Sequence, residues 1–437
     1  MRKQVKIAEK SKESWYKRLK FLKGKNGALI FICLFGVLFR LYLMLEFPNQ
    51  CCASDEYLYV RLADNIITHG QFIYTKQDES SLWTDTIYGM KPPLYPYILA
   101  GFFSILGIGS SLVKILQIVL SVCTGILLYK SGEKIFSKKV GLIACGLFMF
   151  FWEVAYFSQA FYSENLQWFL MSLLLYLLAS KIRHTYFYSG IVLGLYILTK
   201  PTTLLLIVPI TYLLLWKSYS FQNIKNLIIL LLMTIITLSP WVIRNFLTYK
   251  QFVPVYTDGG VNIWMGNYPD SGGGYNITRN NPKETPILHT KGVAKEIERD
   301  NFYYTSAFNY MKQNPVRTFE LSISKIFLTF NPNRPGMINT ATTTYRKWLF
   351  TRPKSEALNS ALTHMIILEF VALQILSLLA VLRIFYKKKI TKHVIFLLVI
   401  LTVQLLSIMI SHAETRYVME MYPILFLFSA VPLSILF

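Results

Sequence analysis

Charge is scarce in this chain: only 16% of its 437 residues are Asp, Glu, Lys or Arg. Acids are the scarcer sign, 23 against 45 basic residues. With 54% hydrophobic residues and a positive mean hydropathy, this composition excludes an ordinary soluble globular protein. Cysteine is equally sparse. Cys33, Cys123 and Cys145 sit inside apolar runs, where a thiol is a packing group. Cys51 and Cys52 are chain neighbours without metal-ligand spacing, so no disulfide framework is implied. The glycines around Gly259 and Gly272 follow no strand and precede no helix directly, so they match no phosphate loop and are expected to be turns. There is no low-complexity tract, and no inverted repeat of the kind that pairs the halves of many transporters.

What the sequence has instead is a series of apolar runs long enough to cross about 30 Å of hydrocarbon, which predicts a polytopic helical membrane protein. The net charge of +22 does not point to nucleic acid, because of where it lies. Basic residues gather in the tail, residues 1–27, and in short gaps at 130–139, 181–184, 216–225 and 383–392. Tail and gaps together hold 23 lysines and arginines against three acids, the pattern of cytoplasmic loops. The first apolar run, 28–47, is too long for a signal-peptide core and no small-residue cleavage site follows it, so it reads as a retained helix with a cytoplasmic tail. Ten spans are expected: 28–47, 112–129, 140–156, 164–180, 186–200, 202–216, 226–242, 358–385, 393–411 and 418–437. The apolar stretch 94–106 would reach only about 20 Å as a helix, so it is placed at the outer interface rather than across the membrane. Residues 55–69 form a second such helix, with Ser54 as its N-cap and Gly70 as its stop. Both lie in a first outer loop, 48–111. A long outer loop, 244–347, contains the glycine-rich segment and then a helical stretch.

This topology brings charged residues together on the outer face: Asp55, Glu56, Lys91, Glu164, Lys200, Arg244, Glu414 and Arg416. Charges at membrane depth are costly, so a one-sided cluster marks a site. Each residue also has a plainer role. Asp55 and Glu56 suit the first turn of a helix, where the dipole favours acids. Lys91, Lys200 and Arg244 can reach lipid phosphates. Arg40 suits snorkelling or pairing, Glu153 and Glu369 suit buried hydrogen-bonded acids, and Trp83, Trp152, Trp216 and Trp241 suit an interfacial belt. Taken together, cations beside carboxylates just outside the membrane suit a lipid phosphate and an incoming hydroxyl nucleophile.

The motifs "ASDEYLYVRLADNIITHGQF", "KPPLYPYILAGFFSILG", "FYSENL", "LGLYILTKPTTLLL", "SPWVIRNFLTYKQFVPVYTDGGVNIWMGN" and "ETRYVMEMYPIL" occur in an order that resembles bacterial relatives of glycosyltransferase family 39. That group resembles protein O-mannosyltransferases and the lipid A aminoarabinose transferase, all of the GT-C fold. The resemblance covers nearly the whole chain after Ala28 and implies an all-α GT-C-like transmembrane domain, 28–437. It implies an inverting membrane glycosyltransferase of the cell envelope. Such an enzyme moves a hexosyl or pentosyl unit from a polyprenyl-phosphate donor to a lipid, glycan or protein hydroxyl on the outer face, and no nucleic acid is involved. Asp55 is implied as the leading catalytic carboxylate, with Glu164 and Glu56 as further acids. Lys91, Lys200, Arg244 and Arg416 are implied at the donor phosphate, and Tyr57, Asn245 and Tyr417 at the substrates. A divalent metal ion held by Asp55 and Glu164 is an optional cofactor of this reading. The sequence departs from the family at Met90, where aminoarabinose transferases carry Glu, at Glu153, where relatives often have Pro, and at Glu420, which replaces a proline. A lipid-linked sugar flippase or other transporter is the alternative reading, and a non-catalytic subunit of an envelope complex a third.

Overall fold

A computed structural model describes residues 27–46, 55–74, 88–180, 182–216, 219–275, 293–332 and 356–436. Ser54, Trp83, Cys51 and Cys52 lie outside the described residues. Among those described, the extended elements are helices, and an isolated β-bridge joins Gly274 and Ala413. Among the described residues, six helices, or stretches of them, are long and apolar enough to cross a membrane: Gly27–Leu45, Ser111–Ile135, Phe221–Tyr249, His364–Tyr386, Lys392–Ile410 and Thr415–Leu436. Four shorter apolar helices accompany them.

In chain order the helices are α1 (Gly27–Glu46), α2 (Asp55–His69), α3 (Leu94–Leu106), α4 (Ser111–Ile135), α5 (Lys138–Phe150), α6 (Trp152–Phe157), α7 (Glu164–Ala179) and α8 (Thr185–Ile197). A 3₁₀ turn, Pro201–Leu206, runs into α9 (Ile207–Leu215), and α10 (Phe221–Tyr249) follows. The long loop carries α11 (Gly259–Gly266), α12 (Val293–Gln313) and α13 (Pro315–Thr329). The chain then continues through α14 (Glu356–Tyr386), α15 (Lys392–Ile410), a 3₁₀ segment (Thr415–Met421) and α16 (Tyr422–Leu436).

Three expected spans are less regular than their hydropathy suggested. The third breaks at Phe151, which is extended, and the carboxylate of Glu369 accepts the freed Trp152 N–H at 3.0 Å. The sixth and tenth each open with a 3₁₀ segment, the sixth at Pro201, whose ring supplies no N–H to a preceding turn. The glycine-rich segment also differs from expectation. Gly259 opens α11 rather than a turn, because the residue is needed for close approach. A Cβ there would collide with the Tyr304 hydroxyl on α12, and one on Gly260 with the Asp300 carbonyl.

The bundle is held by tight pairs of spans, chiefly α4 with α5 and α7, α8 with α10, and α14 with α16. Small residues permit the closest crossings: a Cβ on Gly141 would strike the Tyr129 carbonyl, and one on Gly190 the Leu230 carbonyl. Several charged groups in the interior are held by hydrogen bonds there. Arg40 is fully buried, donating from Nη1 to the carbonyls of Met149 (2.6 Å) and Gly36 (3.1 Å), and from Nε to Ser121 Oγ (3.2 Å). Glu153 accepts a hydrogen bond from the Tyr422 hydroxyl. Arg40, Glu153 and Glu369 thus lock helices together rather than face a site.

Candidate active site

The first turn of α2, the loop before α3, the start of α7, the 199–203 turn, the 256–265 segment and the end of α15 with residues 411–420 surround one cavity of about 800 Å³. Asp55 stands at its centre. Its Oδ1 accepts from Lys91 Nζ at 2.9 Å and its Oδ2 from Arg416 Nη1 at 3.0 Å. Arg416 also donates from Nε to Glu414 Oε1 at 2.6 Å and lies 3.9 Å from Glu164 Oε1. Burial alone would raise the Asp55 carboxyl, but the charges of Lys91 and Arg416 outweigh it and hold the group well below the usual carboxylate range. Burial would likewise lower Lys91, yet Asp55 holds it above the ordinary lysine value. Glu414 behaves like Asp55: burial raises it, Arg416 lowers it more, and it stays below its ordinary value.

Lys200 lies on the same wall and pairs at 2.9 Å with Glu420, the acid that departs from the family pattern. Its ammonium sits 4.5 Å above the ring of Tyr417. The Tyr417 hydroxyl and His412 Nε2 are 2.9 Å apart, and His412 Nδ1 meets the Asn262 carbonyl at 3.0 Å. A carbonyl only accepts, so Nδ1 carries the proton and Nε2 takes the tyrosine's. Burial lowers His412 to about 4, which keeps it neutral.

Of the residues expected at the site, the cavity wall includes Asp55, Tyr57, Lys91, Glu164, Lys200, Arg416 and Tyr417. Three others lie elsewhere. Glu56 turns into the core, where Oε1 accepts the Phe161 N–H at 2.8 Å and burial pushes its carboxyl up to about 7. Arg244 donates to the carbonyls of Tyr88 (3.0 Å) and Phe72 (3.1 Å) and stacks over Trp241. Asn245 is buried, with Nδ2 on the carbonyls of Val253 and Val255. These three brace the loops rather than line the cavity. The sequence reading passed over Asp258 and His412, which do line it. An acid directly before a Gly-Gly pair, just after a span, was the available signal for Asp258.

The cavity wall changes character along its length. Its charged part comprises five carboxylates, Asp55, Glu164, Asp258, Glu414 and Glu420, against the three cations. Its apolar part includes Leu205 and Leu206 from the 3₁₀ turn and Val403, Ile408 and Ile410 from α15. Leu205 and Ile410 are 42% and 46% exposed, so this wall is continuous with the apolar exterior of the bundle.

Residues 90–243 match the family model described as dolichyl-phosphate-mannose-protein mannosyltransferase. A comparison with curated proteins gives no match. Among solved structures, the apo form of the Archaeoglobus fulgidus oligosaccharyltransferase is similar at a TM-score of 0.55 and 14% identity, over 95% of this chain and 51% of its own. The chain has a GT-C fold. The same archaeal enzyme, AglB, in complex with an inhibitory peptide and a dolichol-phosphate, is similar at a TM-score of 0.54 and 14% identity, over 94% and 50% of the two chains. This GT-C chain therefore spans about half the length of the archaeal structures it matches. A fainter likeness, at a TM-score of 0.40 and 11% identity over 94% and 78%, is to ArnT from Cupriavidus metallidurans bound to undecaprenyl phosphate. One structure of the archaeal enzyme is a complex with Zn and sulfate. Among the described residues here, no three His, Cys, Asp or Glu side chains come together as a metal site. Both oxygens of Asp55 are committed to cations, Lys91 and Arg416.

Proposed function

We propose that this protein is an integral-membrane glycosyltransferase. It moves a sugar from a polyprenyl-phosphate donor to an acceptor hydroxyl on the outer face of the membrane, with inversion at the anomeric carbon. One observation carries the reading: a single cavity offers a cationic pair, Lys91 and Arg416, at one end and an apolar wall continuous with the bundle exterior at the other. A lipid phosphate needs both surfaces at once. The family description and the dolichol-phosphate in the archaeal complex support the same donor class.

In this reading Lys91 and Arg416 meet the donor phosphate and stabilise it as it leaves, since preorganised charge acts strongly in a partly buried site. Asp55 stays ionised between them and fixes both cations in place. Glu164 borders the acceptor side, and Lys200 stands at the edge with its charge answered by Glu420. No step is routed through a metal, and chelator treatment is expected to leave turnover in place. Purified protein given labelled polyprenyl-phosphate sugars and a membrane extract should yield a labelled acceptor. The Asp55→Asn variant should not. Equal labelling by both proteins, or none by either, would contradict the proposal.

A further inference from the structure

Asp258 occupies the N-cap position of α11 but makes no cap: its side chain accepts no backbone N–H of the helix. An aspartate at that position ordinarily takes the N–H of the second or third helical residue. Here the amide of Gly260 is satisfied from another helix, by Asp300 Oδ1 of α12 at 2.7 Å. With the cap supplied in trans, Asp258 is released to the cavity wall. Its Oδ1 is buried without a hydrogen-bond partner, and the nearest cation, Arg299, stands at 3.8 Å, beyond hydrogen-bond reach. Arg299 does not line the cavity, so it steadies the carboxylate from behind.

The surroundings fix Asp258 against Lys91. The Thr257 N–H donates to the Gly89 carbonyl at 2.9 Å. Glu296 of α12 accepts from the amides of Tyr88 (2.9 Å) and Gly89 (3.0 Å) and from the Thr257 hydroxyl. The two loops bearing Lys91 and Asp258 are thereby tied to one helix face.

Resting on the transferase reading above, we infer that Asp258 is the proton acceptor for the incoming hydroxyl. The acceptor oxygen forms its bond to the anomeric carbon while the bond from that carbon to the phosphate oxygen breaks. The polyprenyl phosphate leaves with the electron pair, and the hydroxyl proton passes to the Asp258 carboxylate. Asp55 is the poorer base, since protonating it would sacrifice two ion pairs. Glu164 shares its cation, Arg416, with Asp55 and Glu414, whereas the counter-ion of Asp258 stands outside the cavity. The charged groups around Asp258 are Arg299 and Asp300 from α12, Lys91 from the loop before α3 and Asp55 from α2. Burial outweighs Arg299 and Lys91 and leaves the Asp258 carboxyl above its ordinary value, which favours proton acceptance near neutral pH.

The test compares wild type, Asp258→Asn, Asp258→Glu and Glu164→Gln in the full-length purified protein. Each is measured for kcat with a hydroxyl acceptor, donor KM, pH profile and thermal midpoint. Asp258→Asn is expected to lower kcat by about 10²-fold or more, with donor KM and midpoint little changed. It should also lose the acid limb of the profile, where protonation silences the base, and Asp258→Glu should recover part of the rate. If the Asn variant does not fold, Asp258→Ser takes its place with the same expectation. A kcat within threefold of wild type, or an acid limb lost in Glu164→Gln and kept in Asp258→Asn, overturns the assignment while leaving the transferase reading intact. A wild type that transfers nothing from any polyprenyl-phosphate sugar overturns both.

Discussion

Asp55 and Arg416 are 361 residues apart in the chain and meet at 3.0 Å. The first opens α2 and the second follows α15, so this ion pair closes the cavity only when both ends of the bundle sequence have folded. Lys91 completes the arrangement from the other oxygen of Asp55.

The neighbouring acid gives the first prediction. Glu56 faces the core, and its carboxyl is raised to about 7 against about 4.3 in an unfolded chain. Its contribution to stability is therefore fully present below about pH 4.3 and lost as pH rises through about 7. Glu56→Gln removes that loss, so the variant's thermal midpoint should gain on wild type as pH rises from 5 to 8. It should keep substantial activity, whereas Asp55→Asn should fold yet lose about 10²-fold in turnover. Equal and mild effects on turnover would return both acids to the role of helix-start residues.

Lys325 on α13 is fully buried and donates to Asn267 Oδ1 at 2.8 Å and to the Met409 carbonyl at 2.9 Å. A neutral amine has two protons for these two acceptors. Burial lowers the group to about 7, so the unfolded chain binds the extra proton between about pH 7 and 10.4. Stability should rise with pH across that window, and Lys325→Met should flatten the rise. An unchanged slope in melting experiments from pH 7 to 9.5 would show that Lys325 is charged in the fold.

Glu296 concerns the bracket between the two loops. Glu296→Ala leaves three donors without their carboxylate, each costing about 1–3 kcal/mol where buried. The variant should melt well below wild type and bind donor more weakly through displaced Lys91. Full thermal stability would remove Glu296 from this role.

The orientation of the bundle is open to labelling. We place residue 138 inside and residue 276 outside, from the basic gaps between apolar runs. Lys138→Cys and Asn276→Cys should respond oppositely to an impermeant thiol reagent applied to whole cells. Labelling of the first from outside would invert the proposed face.

Most of the helices were legible because their cause is local: a long apolar run has few alternatives in a membrane. The charged end of the cavity was legible for a related reason, since so few charges flank those runs that Asp55, Lys91, Glu164, Lys200 and Arg416 stand out. What the sequence left open depends on rotation and on distant partners. Asp55 and Glu56 differ by about 100° around one helix, and only the packing of α2 decides which faces the cavity. Arg244 looked like a phosphate ligand by position, but the carbonyls of Phe72 and Tyr88 reach it first. The freedom of Asp258 depends on Asp300, 42 residues on, taking over its cap. No local pattern announces such an exchange.

The central claim is that one cavity receives both a phosphate and an isoprenoid chain. Transfer rates of the purified protein should be compared for the same sugar carried on a polyprenyl phosphate, on a short-chain alkyl phosphate and on a nucleotide. The structure predicts robust turnover with the first, a much higher KM with the second and none with the third, with Lys91→Ala impairing donor use more than folding. Robust turnover from the nucleotide sugar in lipid-free detergent, unaffected by Lys91→Ala, would contradict it.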